Sequence, residues 1–214
     1  MSYLLHIDAS SLGDASISRQ VAQSFRTQWD GPVVHRDLAL SPVPHLSAAG
    51  ITARITDPAR HTPEEAKAAA VQQELIDEFL GAGAYLFTVP MYNYSMPSSF
   101  KAWLDQIMAQ GHTLDFVNGP ATAGRPAVLI SARGGGYAPG TPNHGKDHLV
   151  PYLETVLGDP HTLGLDLTTV TPELTLAPHN PAMAPLIPLH EASLAEAHEQ
   201  AGRLAETVGR KTAV

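Results

Sequence analysis

Residues 84–94 read Ala84-Tyr85-Leu86-Phe87-Thr88-Val89-Pro90-Met91-Tyr92-Asn93-Tyr94. Thr88 apart, the first six are apolar and do not alternate with polar residues. That is the pattern of a strand covered on both faces, as in the middle of a parallel sheet. Pro90 cannot donate to a ladder and stops the strand. Upstream, Thr62-Pro63-Glu64-Glu65 carries a cap, a proline at the first helical position and a glutamate at the third. This predicts a helix running to about Leu80, with Ala68, Val71, Leu75 and Phe79 inward and Gly81 and Gly83 ending it. Downstream, Ser98 or Ser99 is expected to cap a helix that carries Phe100, Trp103, Leu104 and Ile107.

The same unit recurs on either side. Tyr3-Leu4-Leu5-His6-Ile7-Asp8 reads as a short buried strand. Ser16 caps the helix after it, in which Ile17, Val21 and Phe25 share a face. Val33 to Asp37 is a second strand and Ala127 to Ser131 a fourth. A helix with Leu149, Tyr152, Leu153 and Val156 inward follows the fourth. A fifth strand is expected within Leu165–Leu176, and a last helix carries Leu194, Ala197, Ala201, Leu204 and Val208. About five alternations of strand and helix give an α/β fold: a parallel sheet with helices on both faces. The Pro-rich passage Leu38 to Pro44 and the region 177–188 read as loops, and nothing divides the chain, so one domain spans 1–214.

The chain has 214 residues, a formal net charge of -8 and no cysteine. Nucleic acid is not an expected partner, because binding it needs a basic footprint. Disulfides, thiolate zinc sites, iron–sulfur clusters and a catalytic thiol are excluded. Any redox chemistry therefore needs a bound organic cofactor. The N-terminus has no basic region and no long apolar run, so neither a signal peptide nor a membrane span is expected, and the cytoplasm is the expected location. His144 and His148, with Asp147 beside them, could share a metal, but no third ligand is indicated and none is expected.

In an open α/β sheet, ligands bind beyond the C-terminal ends of the strands. Three unusual loops fall there. The first, residues 10–18, gathers the hydroxyls of Ser10, Ser16 and Ser18 at a helix start, where free N–H groups and the helix dipole favour an anion. It has no lysine, which suits a buried phosphate monoester better than a nucleoside triphosphate; the alternative is an ordinary serine-capped helix. The second, Pro90 to Pro97, crowds two Tyr, two Met and an Asn together, suited to a flat heteroaromatic ring or to a neighbouring subunit. The third, Ser131-Ala132-Arg133-Gly134-Gly135-Gly136-Tyr137, lets backbone approach a ligand closely, or is a flexible loop.

These residues resemble the FMN-dependent NADH-azoreductases, also described as FMN-dependent NADH:quinone oxidoreductases, over essentially the whole chain. The resemblance rests on Ser10 with Ser16-Ile17-Ser18, Arg36-Asp37-Leu38-Ala39 leading to Pro44-His45-Leu46, and Pro90-Met91-Tyr92-Asn93-Tyr94. Lys101-Ala102-Trp103-Leu104-Asp105, Arg133-Gly134-Gly135, Gly140-Thr141-Pro142 and Asp147-His148 through Pro151-Tyr152-Leu153 add to it. It implies a flavodoxin-like fold of sheet order 2-1-3-4-5 and FMN as cofactor. Ser10, Ser16, Ile17 and Ser18 would bind the phosphate. Met91, Tyr92, Asn93, Tyr94, Ala132, Arg133, Gly134 and Gly135 would contact the isoalloxazine. It further implies a homodimer with two sites at the subunit interface and ping-pong electron transfer from NADH, or NADPH, to quinones or azo compounds. The chemistry would be borne by the flavin, with backbone N–H groups near Asn93 and Gly134 supporting. Two departures bear on substrate preference: Ala132 stands where the family commonly has Ser, and residues 158–163 replace a more apolar run. A flavodoxin-type electron carrier is the alternative, though it would not need the inserts at 38–62 and 111–126. A receiver domain would need an Asp where the third strand ends, and a Rossmann dehydrogenase would need a glycine motif that the first loop lacks.

Overall fold

A computed structural model describes residues 3–212. Five parallel strands form one sheet: β1 Tyr3–Asp8, β2 Val33–Asp37, β3 Ala82–Thr88, β4 Pro126–Ile130 and β5 Asp166–Val170, in the order β2-β1-β3-β4-β5. Six α-helices connect and cover them: α1 Ile17–Gln28, α2 Ala48–Ala53, α3 Pro63–Gly81, α4 Ser98–Ile107, α5 Val150–Leu153 and α6 Ile187–Thr212. The order and the two-sided cover are those expected. Among the described residues, no helix is long and apolar enough to cross a membrane.

The period-2 geometry of a strand divides the core in two. Leu5, Ile7, Tyr85, Phe87, Ala127 and Leu129 face one way, against Leu75 and Phe79 of α3 and Phe100, Trp103 and Ile107 of α4. Leu4, Ala84, Leu86, Val128, Ile130 and Val170 face the other, against Val21, Ala22 and Phe25 of α1 and Ala197, Ala201 and Ala205 of α6. The aromatic face is the denser: Phe87, Phe100 and Trp103 pack with ring centroids 5.3–6.1 Å apart. Such a cluster adds directed edge and stacking contacts to simple area burial.

The helix starts follow their chemistry. Thr62 and Glu65 form a reciprocal capping box on α3, and the Ser16 hydroxyl accepts the Arg19 N–H at the start of α1. Several details differ from expectation. Pro97, not Ser98 or Ser99, occupies the cap position of α4, which has no side-chain cap; its fixed φ and the buried Phe100 set the entry instead. Gly83 lies inside β3 rather than ending α3. Tyr152 is exposed, because α5 gives way to a wider π-turn over Glu154–Gly158 that rotates the face. β5 stops at Val170, two residues before Pro172. The insert at 38–62 holds the short helix α2, capped by Ser47. Residues expected as loop near 177–188 form two 3₁₀ turns, and α6 already starts at Ile187.

Candidate cofactor site

The loop after β1 is built as an anion cradle. Ser10, Ser16 and Ser18 are all buried there. Gly13 takes φ +52, the left-handed value that lets the chain reverse before α1. Ser10 N–H donates to Asp8 Oδ1 at 3.1 Å, and Ser11 N–H to the Tyr92 hydroxyl at 3.1 Å. The N–H groups of Ile17 and Ser18, in the first turn of α1, donate to nothing among the described residues. Unpaired donors at the positive end of a helix are what a phosphate requires. Ser18 also accepts the Ala132 N–H on its Oγ at 3.1 Å, which ties the first loop to the third.

The loop after β3 is a tight reversal. Tyr92 and Ser95 exchange both backbone hydrogen bonds, at 2.8 and 3.0 Å, while Asn93 and Tyr94 take φ +49 and +68. Positive φ at both central positions is the type I′ hairpin turn. Asn suits it. Tyr94 does not, and strain held at a non-glycine residue is a mark of functional sites. The turn separates its side chains. Tyr92 points back to the first loop, whereas Met91, Asn93 and Tyr94 line a cleft of about 900 Å³.

The far wall of that cleft is the glycine loop after β4. The carbonyls of Arg133, Gly134 and Gly135 accept the N–H groups of Thr175, Leu176 and Leu174 at 3.0–3.2 Å. The N–H groups of Gly134 and Gly135 find no partner among the described residues and are left for a ligand. The two glycines have ordinary φ, and what a side chain on either would meet is the side chain of a neighbour. A Cβ on Gly134 would lie 2.7 Å from Leu176 Cδ1, and one on Gly135 only 2.4 Å from Asn143 Nδ2. Arg133 is buried and its guanidinium turns away from the cleft. It lies 3.0 Å from Asp147 Oδ2 and 3.1 Å from Glu173 Oε1, with its centre 5.4 Å from the middle of the Tyr137 ring. Its side chain therefore braces three segments behind the amides. Leu174, Leu176, Met183, Leu186 and Leu189 complete an apolar wall; the first two fall in the window expected to hold the fifth strand, and Met183 and Leu186 in the region that reads as loop from sequence. Their spacing gives no periodic signal, because they are spread over the coil after β5, the second 3₁₀ turn and the start of α6.

The sequence brings His144 and His148 to notice as a pair; the structure groups His6, Asp8 and His35 instead, with potential ligand atoms within 4.8 Å of one another. Two arginines intrude on that group. Arg26 Nη1 lies 3.1 Å from His6 Nδ1, and arginine can only donate, so Nδ1 is the unprotonated nitrogen. His6 Nε2 then carries the hydrogen and donates to Thr88 Oγ1 at 2.8 Å. With both ring nitrogens engaged and a guanidinium against one, the cluster works as a buried polar strut. Burial, then the neighbouring His35, Arg26 and Arg19, push the His6 pKa well below its usual value and keep the ring neutral.

Comparison with known proteins agrees with this geometry. A family model described as the flavodoxin-like fold matches residues 2–171. The FMN-dependent NADH:quinone oxidoreductase of Streptomyces avermitilis is 48% identical over 219 residues, covering 100% of both chains. That of Streptomyces coelicolor is 45% identical over 207 residues, 94% of this chain and 92% of the relative. Among solved structures, an azoreductase from Bacillus anthracis superposes with a TM-score of 0.80 at 24% identity, over 98% of this chain and 100% of that one; at that identity the likeness shows the fold. This chain thus belongs to the flavodoxin-like family of FMN-dependent NADH:quinone oxidoreductases.

Proposed function

We propose that the protein binds FMN and carries two electrons from NADH to quinones or azo compounds. One observation carries the reading. Two sets of unpaired backbone N–H groups, on Ile17 and Ser18 and on Gly134 and Gly135, stand on loops tied to one another by the Tyr92–Ser11 and Ser18–Ala132 hydrogen bonds, and the second set opens on the cleft. The first set, with Ser10 and Ser16, would hold the phosphate. The second, with Met91, Asn93 and Tyr94, would face the ring system, while Tyr92 and Arg133 fix the two loops. The donor set fits FMN: amides and hydroxyls for a monoester, flat and soft walls for the ring.

When bound, the flavin supplies the two-electron chemistry. The protein supplies the rest. The Gly134 and Gly135 amides offer fixed dipoles to negative charge on the ring, at no cost of reorganisation. The Tyr94 side chain, held out by its strained turn, forms a flat edge against which planar substrates stack. Donor and acceptor must use the same cleft in turn, which supports ping-pong kinetics. Exposed Ile55 and Phe116, which line a second cleft on the inserts after β2 and α4, support a homodimer. NADH as donor supports a cytoplasmic reaction.

An anaerobic absorbance spectrum tests the reading. Flavin bands should bleach on adding NADH and return on adding a quinone. Bands that never bleach would mean an electron carrier, and no bands after FMN is added back would end the flavin reading.

A further inference from the structure

Arg19 stands out because its side chain is engaged entirely underneath the first loop. Its Nη2 donates to the Ser10 carbonyl at 2.7 Å and its Nη1 to Asp37 Oδ2 at 2.7 Å, while Nε lies 3.1 Å from Asp8 Oδ2. Asp8 Oδ1 takes the Ser10 N–H at 3.1 Å. Asp37 Oδ1 takes the N–H groups of Ala39 and Leu40 at 2.9 and 3.2 Å. Both backbone polar groups of Ser10 are thus consumed on the side away from the cradle. The guanidinium lies between two carboxylates that are themselves almost buried, with side-chain exposures of 3% and 10%. Its charge is spent on them.

We propose that Arg19 is a positioning residue for cofactor binding: bridging Asp8, Asp37 and the Ser10 carbonyl, it sets the loop so that its free N–H and hydroxyl groups face the phosphate, without touching the phosphate itself. The inference rests on the FMN reading above. It assigns a charged residue to the phosphate site that no motif in the loop announces. It also explains how an acidic chain takes a phosphate with no free lysine or arginine in the cradle. Lysine cannot replace it, because a point charge on a single nitrogen cannot reach the Ser10 carbonyl and Asp37 Oδ2, which two nitrogens of a planar fork meet at once.

The test compares FMN with riboflavin, which lacks the phosphate, using quenching of flavin fluorescence on titration into the apoprotein. The wild type should prefer FMN strongly. Arg19→Lys and Arg19→Met should each weaken FMN by about 10–100-fold, the loss of one or more charge-assisted contacts, and riboflavin by less than about 3-fold on the same scale. Asp37→Asn decides between positioning and direct contact, and it preserves shape. If Arg19 acts through the loop, Asp37→Asn weakens FMN as Arg19→Met does. If instead the guanidinium reaches the phosphate, removing a nearby negative charge tightens FMN, and the proposal falls. It falls also if the Arg19 variants weaken both flavins equally, which is a general structural loss, or leave FMN affinity unchanged. A wild type that binds both flavins equally overturns the phosphate site itself, and the role of Arg19 with it.

Discussion

At the scale of single residues, Tyr94 shows a conflict between local preference and use. A left-handed conformation costs a residue with a Cβ roughly 1–2 kcal/mol, and Asn93 beside it bears the smaller share. Replacing Tyr94 with Gly should therefore raise stability by up to about 1 kcal/mol in urea unfolding, since the side chain is largely exposed and little packing is lost. The same change should lower kcat/KM for planar acceptors by about 10-fold, the loss of one stacking surface. A variant that is both less stable and fully active would mean that the turn is strained for no functional reason. Residue identity also shows what sequence could tell. The turn at Asn93 and the serine cap of α1 were legible because their chemistry is local. The side-chain contacts of Tyr92 and Arg133 were not, since each depends on where a side chain points across 81 and 40 residues of chain. Gly134 and Gly135 stand out in the sequence, but the side chains packed over them, Leu176 and Asn143, lie in segments with no sequence link to them.

At the scale of elements, α1 is held to the sheet by more than Val21 and Phe25. Arg26 of α1 reaches His6 of β1, which donates in turn to Thr88 of β3, so one polar line crosses three elements. A protonated His6 would have no lone pair for Arg26 and would face its charge and that of Arg19. The folded state therefore resists protonation that the unfolded chain accepts from about pH 6.5 downward. This stability is present above about pH 6.5 and is lost as pH falls toward the lower folded pKa, at a rate approaching 1.4 kcal/mol per unit. Asp8, raised to about 6 chiefly by burial, works in the opposite direction between about pH 6 and 4, because there the folded state takes up the proton first. His35, also lowered, adds to the His6 effect. Urea midpoints at about pH 7 and 5.5 should show a steeper acid loss in wild type than in His6→Gln, with the Asp8 contribution common to both. Equal slopes would remove His6 from the acid sensitivity. Elements were legible in sequence wherever a cap or a period marked them, as in α3. They were lost where tertiary packing overrode the pattern, as in the π-turn after α5 and the 3₁₀ turns before α6.

At the scale of the whole molecule, the parallel sheet with helices on both faces was readable from the alternation of buried strands and amphipathic helices, whereas the strand order came only from the family resemblance. The shape of the inserts was not readable, as the 38–62 and 111–126 segments carry no period. They end in apolar side chains, Ile55 and Phe116, that share a cleft of about 740 Å³. If a second copy covers that face, sedimentation should report a dimer, and Ile55→Glu with Phe116→Glu should give monomers that still bind flavin weakly. A wild-type monomer at micromolar concentration would reject the dimer.

The pairing of α1 with α6 has a consequence for how the chain is made. The sheet face that bears Leu4, Leu86 and Val128 is closed jointly by α1 and by α6, which is synthesised much later. Roughly 160 residues separate those two helices, and at about 5–20 residues per second a ribosome needs some ten to thirty seconds to bridge them. Through that interval the part of this face that α6 covers has only α1 beside it. A chain cut before α6 would leave that part of the face open to solvent.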